Sequence, residues 1–184
     1  MRGKKTRLLV KAALVGAIYA ALTLIPPFSA ISFGPVQFRL SEVLMFTALF
    51  SPAYAGGLFV GCLLANIFGT GNLFDIVFGS LATLLSGLTL YGFRNTFLRH
   101  KWMAPLPVSI LNGLIVGGYL PFIFLDVAME QLFAGGFSNL FFAAFAATPV
   151  LGTMLSVFIG EAVVCYVLGI PFLYFLDHRR KMLE

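Results

Sequence analysis

Glu161 is the residue whose chemistry is most constrained by its surroundings in the sequence. It lies near the middle of the apolar run 148–176. An unpaired carboxylate at the centre of a membrane helix costs about 3 kcal/mol on insertion scales. The side chain must therefore face the interior of the protein, pair with another group or carry a proton. We take Glu161 as a candidate ligand-binding residue, and the alternative is that it holds helices together.

Five more polar side chains lie at or near the ends of apolar runs, where ionisable groups are functional candidates by default. They are Gln37, Arg39, Glu42, Asn66 and Asp75. Two simpler interpretations stay open. Arg39 and Glu42 stand three residues apart and can pair with each other. Asp75 can serve as the N-cap or as a first-turn acid of the helix that begins there.

The sequence contains no recognisable catalytic or metal-binding motif. It has no glycine-rich phosphate loop followed by Lys and Ser or Thr, no nucleophile elbow and no HExxH. Cys62 and Cys165 lack the spacing of a metal or redox motif, and we interpret them as small buried hydrophobic residues. We therefore expect a binding subunit that borrows its energy from a partner, with no catalytic residue, cofactor or metal of its own.

The composition places these residues in a lipid bilayer. Of the 184 residues, 60% are hydrophobic and 10% are charged, against about a quarter charged in a soluble domain. A soluble fold of this size could not cover its surface with so few polar groups. The composition excludes a cytosolic enzyme and a nucleic-acid-binding domain. It predicts an all-α integral membrane protein.

Six apolar runs predict a six-helix transmembrane bundle that forms one membrane domain over residues 1–184. A helix needs about 20 apolar residues to cross the hydrocarbon core, so the second and third helices are short and Ser51-Pro52 joins them by a tight turn. The segment 127–147 is expected to be a loop with a short lid-like helix. The predicted helices cover 8–25, 41–50, 53–68, 74–93, 105–126 and 148–176.

The positive charges predict the orientation of the bundle. Of the 12 Lys and Arg residues, all except Arg39 lie at the start of helix 1, between helices 4 and 5, or after helix 6. Because such residues concentrate on the cytoplasmic side, we expect both termini to be cytoplasmic in a plasma-membrane protein. With this topology, the polar residues named above that lie near the ends of apolar runs are expected at the outer mouth of the bundle. Asp126 and Glu130 are expected there too.

Helix 1 carries a row of small residues at four-residue spacing, which places them on one face. The row consists of Ala13, Ala17 and Ala21. Small residues let helices approach closely. A similar row in helix 3, with Gly57 and Gly61, is expected to pack internally. The wide face of helix 1 is expected to dock a partner helix.

Four stretches of the sequence resemble the QueT family, whose members are substrate-binding (S) components of energy-coupling factor transporters, a class of ABC importer. They are GPVQFRLSE at 34–42, GLFVGCLLAN at 57–66, DIVFGSLATL at 75–84 and GEAVVCYVLG at 160–169. The resemblance covers nearly the whole chain and implies the S-component fold. It also implies that the row Ala13, Ala17 and Ala21 docks onto a shared transmembrane coupling protein, which two cytoplasmic ATPases serve.

The resemblance further implies a ligand of the queuosine-precursor class, the 7-deazaguanines. A guanine edge offers adjacent N–H donors that a carboxylate accepts as a pair, and the aminomethyl precursor carries a cation. Stacking on a planar ring is expected from Phe33, Phe38, Tyr119 and Phe122. Three alternatives stay open: an S component for another vitamin such as cobalamin, a solitary secondary transporter, and a structural membrane protein without a ligand.

Overall fold

The computed structural model describes residues 2–26, 28–33, 37–124 and 148–179, and all regular secondary structure in these ranges is helical. The all-α fold class is therefore confirmed for the described part of the chain. The predicted lid segment 127–147 lies outside the described residues, as do Asp126 and Glu130.

Eight α-helices, two 3₁₀ helices and two π-helical segments form the described structure. The α-helices are α1 (Arg2–Leu24), α2 (Phe28–Ser32), α3 (Pro52–Gly69), α4 (Ser80–Gly92), α5 (Arg94–Arg99), α6 (Pro105–Phe124), α7 (Thr148–Val164) and α8 (Ile170–His178). The 3₁₀ helices are Leu40–Leu49 and Lys101–Met103, and the π-helical segments are Asp75–Gly79 and Cys165–Gly169.

Five helices of the described chain are long and apolar enough to cross a membrane, which identifies a multi-pass membrane protein. They are Gly3–Leu24, Pro52–Gly69, Asp75–Gly92, Lys101–Phe122 and Val150–His178. The π-helical segment Asp75–Gly79 leads directly into α4 within the third span. The segment Cys165–Gly169 joins α7 to α8, so these two form one long helix within the fifth span.

The predicted second helix is a 3₁₀ helix, Leu40–Leu49, of 10 residues. At about 2.0 Å rise per residue it covers about 20 Å, which is less than the hydrocarbon core of about 30 Å. Ser51 then begins α3 as its N-cap, where its side chain accepts a hydrogen bond from the Ala53 amide at 3.3 Å. Pro52 occupies the first turn, where its missing N–H costs nothing.

The short 3₁₀ helix lies at the centre of the bundle. Its side chains Met45, Phe46 and Leu49 are fully or almost fully buried and pack with residues of α1, α3 and α8. A helix that is apolar all round belongs in the interior of a bundle. The elements on every side of the 3₁₀ helix therefore reach the polar residues at its beginning.

Glycines set the distance between α1 and α3, which pack extensively on each other. A Cβ atom added to Gly16 would collide with the Gly57 carbonyl, and one added to Gly61 would collide with the Gly16 carbonyl. Small residues therefore bring the two backbones into contact. Gly113 and Gly117 play the same part where α6 packs on α7.

Candidate ligand-binding site

An extended segment and the first turn of the 3₁₀ helix carry three polar side chains into the interior. Gln37 is 1% exposed, and Arg39 and Glu42 are 0% exposed. The segment lies directly on α7, since a Cβ atom added to Gly160 would collide with the Gln37 carbonyl oxygen. This contact places the segment beside Glu161, the next residue of α7.

Glu161 is completely buried, and neither of its carboxylate oxygens has a hydrogen-bond partner among the described residues. It lies close enough to Arg39 and Glu42 to interact with both electrostatically. Buried charges are normally paired and hydrogen-bonded. The carboxylate of Glu161 is therefore free to accept donors from a ligand.

The Arg39 guanidinium has a single, weak polar partner in the part of the chain that is described. Its Nη1 lies 3.8 Å from the Cys62 sulfur, and its carbon lies 5.5 Å from the centre of the Phe33 ring. Nε and Nη2 have no hydrogen-bond partner. Among the described residues no direct hydrogen bond joins Arg39 to Glu42, so their predicted pairing is limited to an electrostatic interaction at longer distance.

Glu42 is bound on one side only. Its Oε1 accepts a hydrogen bond from the Tyr19 hydroxyl of α1, whereas Oε2 is buried without a partner among the described residues. Tyr19 is itself completely buried. The carboxylate is therefore held from behind by α1 and keeps one free oxygen.

Asn66 and Asp75 lie together on a third side of the bundle, where they join α3, α6 and the Asp75–Gly79 segment. Asn66 Nδ2 donates to the Asp75 carbonyl at 2.6 Å, and Tyr119 donates to Asp75 Oδ1 at 2.7 Å. Asp75 is a first-turn acid, as one interpretation held. The N-cap interpretation is wrong, because Asn72 Oδ1 accepts from the Phe74 amide at 2.8 Å.

The π-helical geometry of Asp75–Gly79 allows this junction. A Cβ atom added to Gly79 would lie 3.0 Å from Asn66 Nδ2 and 3.2 Å from the Tyr119 hydroxyl. A larger residue would therefore press on both groups. Such π-helical segments occur frequently at functional sites.

All six sequence-predicted site residues are buried, and five of them carry polar atoms that lack a hydrogen-bond partner in the described structure. The unpaired atoms are Gln37 Oε1, Arg39 Nε, Arg39 Nη2, Glu42 Oε2, Asn66 Oδ1, Glu161 Oε1 and Glu161 Oε2. About nine in ten buried polar groups in proteins are satisfied. So many unpaired atoms, several of them electrostatically coupled, indicate a site for a polar ligand.

Two residues of the cluster have roles that were not predicted from the sequence. Cys62 is a buried core residue, as predicted, but its sulfur is also a weak acceptor for Arg39 and, at 3.5 Å, for Asn66 Nδ2. Tyr19 was not predicted as a site residue. The sequence offers one signal for it, which is its position three residues after Gly16, on the face of α1 that packs on α3.

Other polar groups of the described chain stay outside this cluster. Asn112 donates to the Val108 carbonyl of its own helix at 3.0 Å, and its Oδ1 has no partner among the described residues. No group of three His, Cys, Asp or Glu residues in the described ranges could hold a metal ion.

The small residues of α1 lie on two faces of the helix. Ala13, Ala17 and Ala21 are exposed, whereas Ala12 and Gly16 are buried against α3. Beside the exposed row, an apolar groove of about 440 Å³ runs between α1 and α3. The exposed row is therefore available to another helix, and it points away from Tyr19.

Comparison with known proteins identifies the family of the chain. The family described as QueT transporter matches residues 9–178. The chain is 44% identical over 85 residues to the queuosine precursor transporter QueT of Lactococcus lactis subsp. cremoris (strain MG1363). That alignment spans 46% of the chain and 50%, or about half, of the relative. No solved structure matches the chain. Because the family match covers nearly all of it, the chain belongs to the QueT transporter family.

Proposed function

We propose that this protein is the substrate-binding component of an energy-coupling factor importer and that it binds queuosine precursors, the 7-deazaguanines. The observation that carries the proposal is the buried cluster of unpaired donors and acceptors around Arg39, Glu42 and Glu161. The family match supports a transporter, and the relative's name supports the ligand class.

The unpaired atoms complement the edge of a deazaguanine. Glu161 offers two acceptor oxygens, which suit the adjacent N–H donors of the guanine-like ring. Arg39 offers Nε and Nη2, which suit the ring carbonyl. The ligand thus replaces, in the dry interior, the hydrogen bonds that these groups would make with water.

The charge balance of the cluster favours a ligand with a positive group. Three acids, Glu42, Asp75 and Glu161, are buried with one base, Arg39. An ammonium group, such as that of the aminomethyl precursor, would pair with a carboxyl group that Arg39 does not neutralise. A 7-deazaguanine without such a group lacks this interaction.

Transport in this proposal depends on partners. In this proposal the protein has six spans in the plasma membrane with both termini in the cytoplasm, and the distribution of positive charges supports that orientation. The row Ala13, Ala17 and Ala21 docks onto a transmembrane coupling protein, and two cytoplasmic ATPases supply the energy. The exposure of the row supports this assignment.

The decisive experiment identifies the small molecule that purifies with the protein. We expect mass spectrometry and ultraviolet absorbance of the released material to show a 7-deazaguanine, and added 7-aminomethyl-7-deazaguanine to rebind. A corrinoid spectrum would instead indicate the cobalamin alternative. In cells without any coupling module, we expect no uptake through this protein. Uptake there would indicate a solitary secondary transporter.

A further inference from the structure

Among the described residues of α1, Tyr19 is the one whose side chain hydrogen-bonds to a proposed ligand-binding carboxylate. Its hydroxyl donates to Glu42 Oε1, and both side chains are completely buried. A tyrosine hydroxyl has one proton to donate. That proton is committed to Oε1, so the second carboxylate oxygen, Oε2, stays free for the ligand.

The backbone of α1 holds Tyr19 in a fixed place. Gly16, one turn earlier on the same face, touches α3 so closely that a Cβ atom at this position would collide with the Gly57 carbonyl. The reverse contact, of Gly61 with the Gly16 carbonyl, is equally close. Because two main-chain contacts hold α1 against α3, the backbone position from which the Tyr19 side chain reaches Glu42 is well defined.

We propose that Tyr19 is a positioning residue of the ligand site: it orients Glu42 so that the free oxygen faces the ligand. The inference rests on the proposed function, since it takes Glu42 as a ligand contact. Tyr19 acts through Glu42, and its hydroxyl is not consumed by binding.

A neighbouring hydrogen bond provides a matched control. Thr23, one turn after Tyr19, lies 2.7 Å from Ser41 through its hydroxyl and is also completely buried. This bond joins the same two elements, α1 and the 3₁₀ helix, as the Tyr19–Glu42 bond does. Neither Thr23 nor Ser41 belongs to the proposed ligand contacts. A purely structural role for Tyr19 therefore predicts that the two bonds are equivalent.

The test measures binding of 7-aminomethyl-7-deazaguanine to the purified full chain by isothermal titration calorimetry. Tyr19→Phe removes the hydroxyl alone, and we expect a loss of affinity of about tenfold or more, as for a hydrogen bond to a charged group. Thr23→Val should bind within about twofold of the wild type. In a Glu42→Gln background, Tyr19→Phe should have little further effect, because the group that it orients has been changed.

Each result separates the inference from the proposed function. If the wild type binds no 7-deazaguanine, the proposed ligand is wrong and the inference falls with it. If the wild type binds but Tyr19→Phe and Thr23→Val behave alike, Tyr19 is structural and only the inference is overturned. The inference would also be overturned if Tyr19→Phe reduced ligand affinity by the same factor in the Glu42→Gln background as in the wild type. If Tyr19→Phe does not fold, Tyr19→Leu replaces it, because Leu removes the hydroxyl without adding volume, and it is judged by the same additivity criterion against Glu42→Gln.

Discussion

Replacing Glu161 by Gln tests whether the buried carboxylate serves the ligand or the fold. The substitution keeps the shape of the side chain and replaces one acceptor oxygen by an NH₂ donor. In the free protein neither Glu161 oxygen has a partner among the described residues. The change therefore removes no hydrogen bond described in the free protein and alters the interactions available to a ligand.

The expected loss of affinity follows from the hydrogen bonds involved. If Glu161 accepts a pair of N–H donors, Glu161→Gln loses one charge-assisted bond and brings a donor against a donor in a dry site. Together these effects cost about 2–3 kcal/mol, which is about 30- to 150-fold in affinity. The free protein should change in the opposite direction, because the variant no longer buries an unpaired charge. We expect its melting temperature to stay the same or rise.

The assay combines ligand titration with thermal unfolding of the same detergent-solubilised samples. Ser109→Ala is a suitable control, because Ser109 is completely buried and its hydroxyl donates to the Pro105 carbonyl of its own helix at 3.1 Å. The control should leave ligand affinity unchanged. If Glu161→Gln binds as tightly as the wild type and melts at a lower temperature, Glu161 joins helices and does not bind the ligand.

Three further predictions concern docking, packing and selectivity. Ala17→Trp should retain ligand binding but lose uptake and co-purification with the coupling protein. Leu155→Trp, at another exposed apolar position, should retain all three. Loss of ligand binding by Ala17→Trp would show that the row Ala13, Ala17 and Ala21 packs inside the fold. Gly160→Ala should lower ligand affinity, since its Cβ would push Gln37 away. Gly152→Ala, with open space around it, should instead raise the free energy of unfolding by about 0.5–1 kcal/mol. Identical melting curves for the two variants would contradict this packing argument. In equilibrium competition, the aminomethyl precursor should bind at least about tenfold more tightly than a neutral 7-deazaguanine, and equal affinities would exclude a charge-selective site.

The long helices could be predicted from the sequence because a membrane imposes a length on apolar runs. The break between the second and third predicted helices was also accessible, since Ser51 caps and Pro52 begins a helix. The 3₁₀ geometry of Leu40–Leu49 was not accessible, because 3₁₀ and α-helices of this length use the same residues. The number of spans and their orientation stay predictions.

The polar residues of the site could be selected one by one because each is costly in an apolar environment. Their partners could not. Whether the Tyr19 hydroxyl reaches Glu42 depends on the rotation of α1, which the contact between Gly16 and Gly57 determines. The acceptor role of Cys62 depends equally on where the Arg39 guanidinium lies. Such contacts join elements distant in sequence, and a local pattern carries no information about them.

The unpaired groups also explain how a site with few contacts can be selective. An apolar pocket distinguishes two ligands that differ by a methylene group by only about 10- to 200-fold. A site built from buried hydrogen-bonding groups rejects an analogue that lacks the complementary group by about 10⁴- to 10⁵-fold, because its own donors and acceptors are then left unpaired. Glu161 and Arg39 are such groups, whereas the ring of Phe33 beside Arg39 could pack against many planar molecules. In the proposed function, selectivity therefore resides in the same buried polar atoms that are left unpaired in the ligand-free protein.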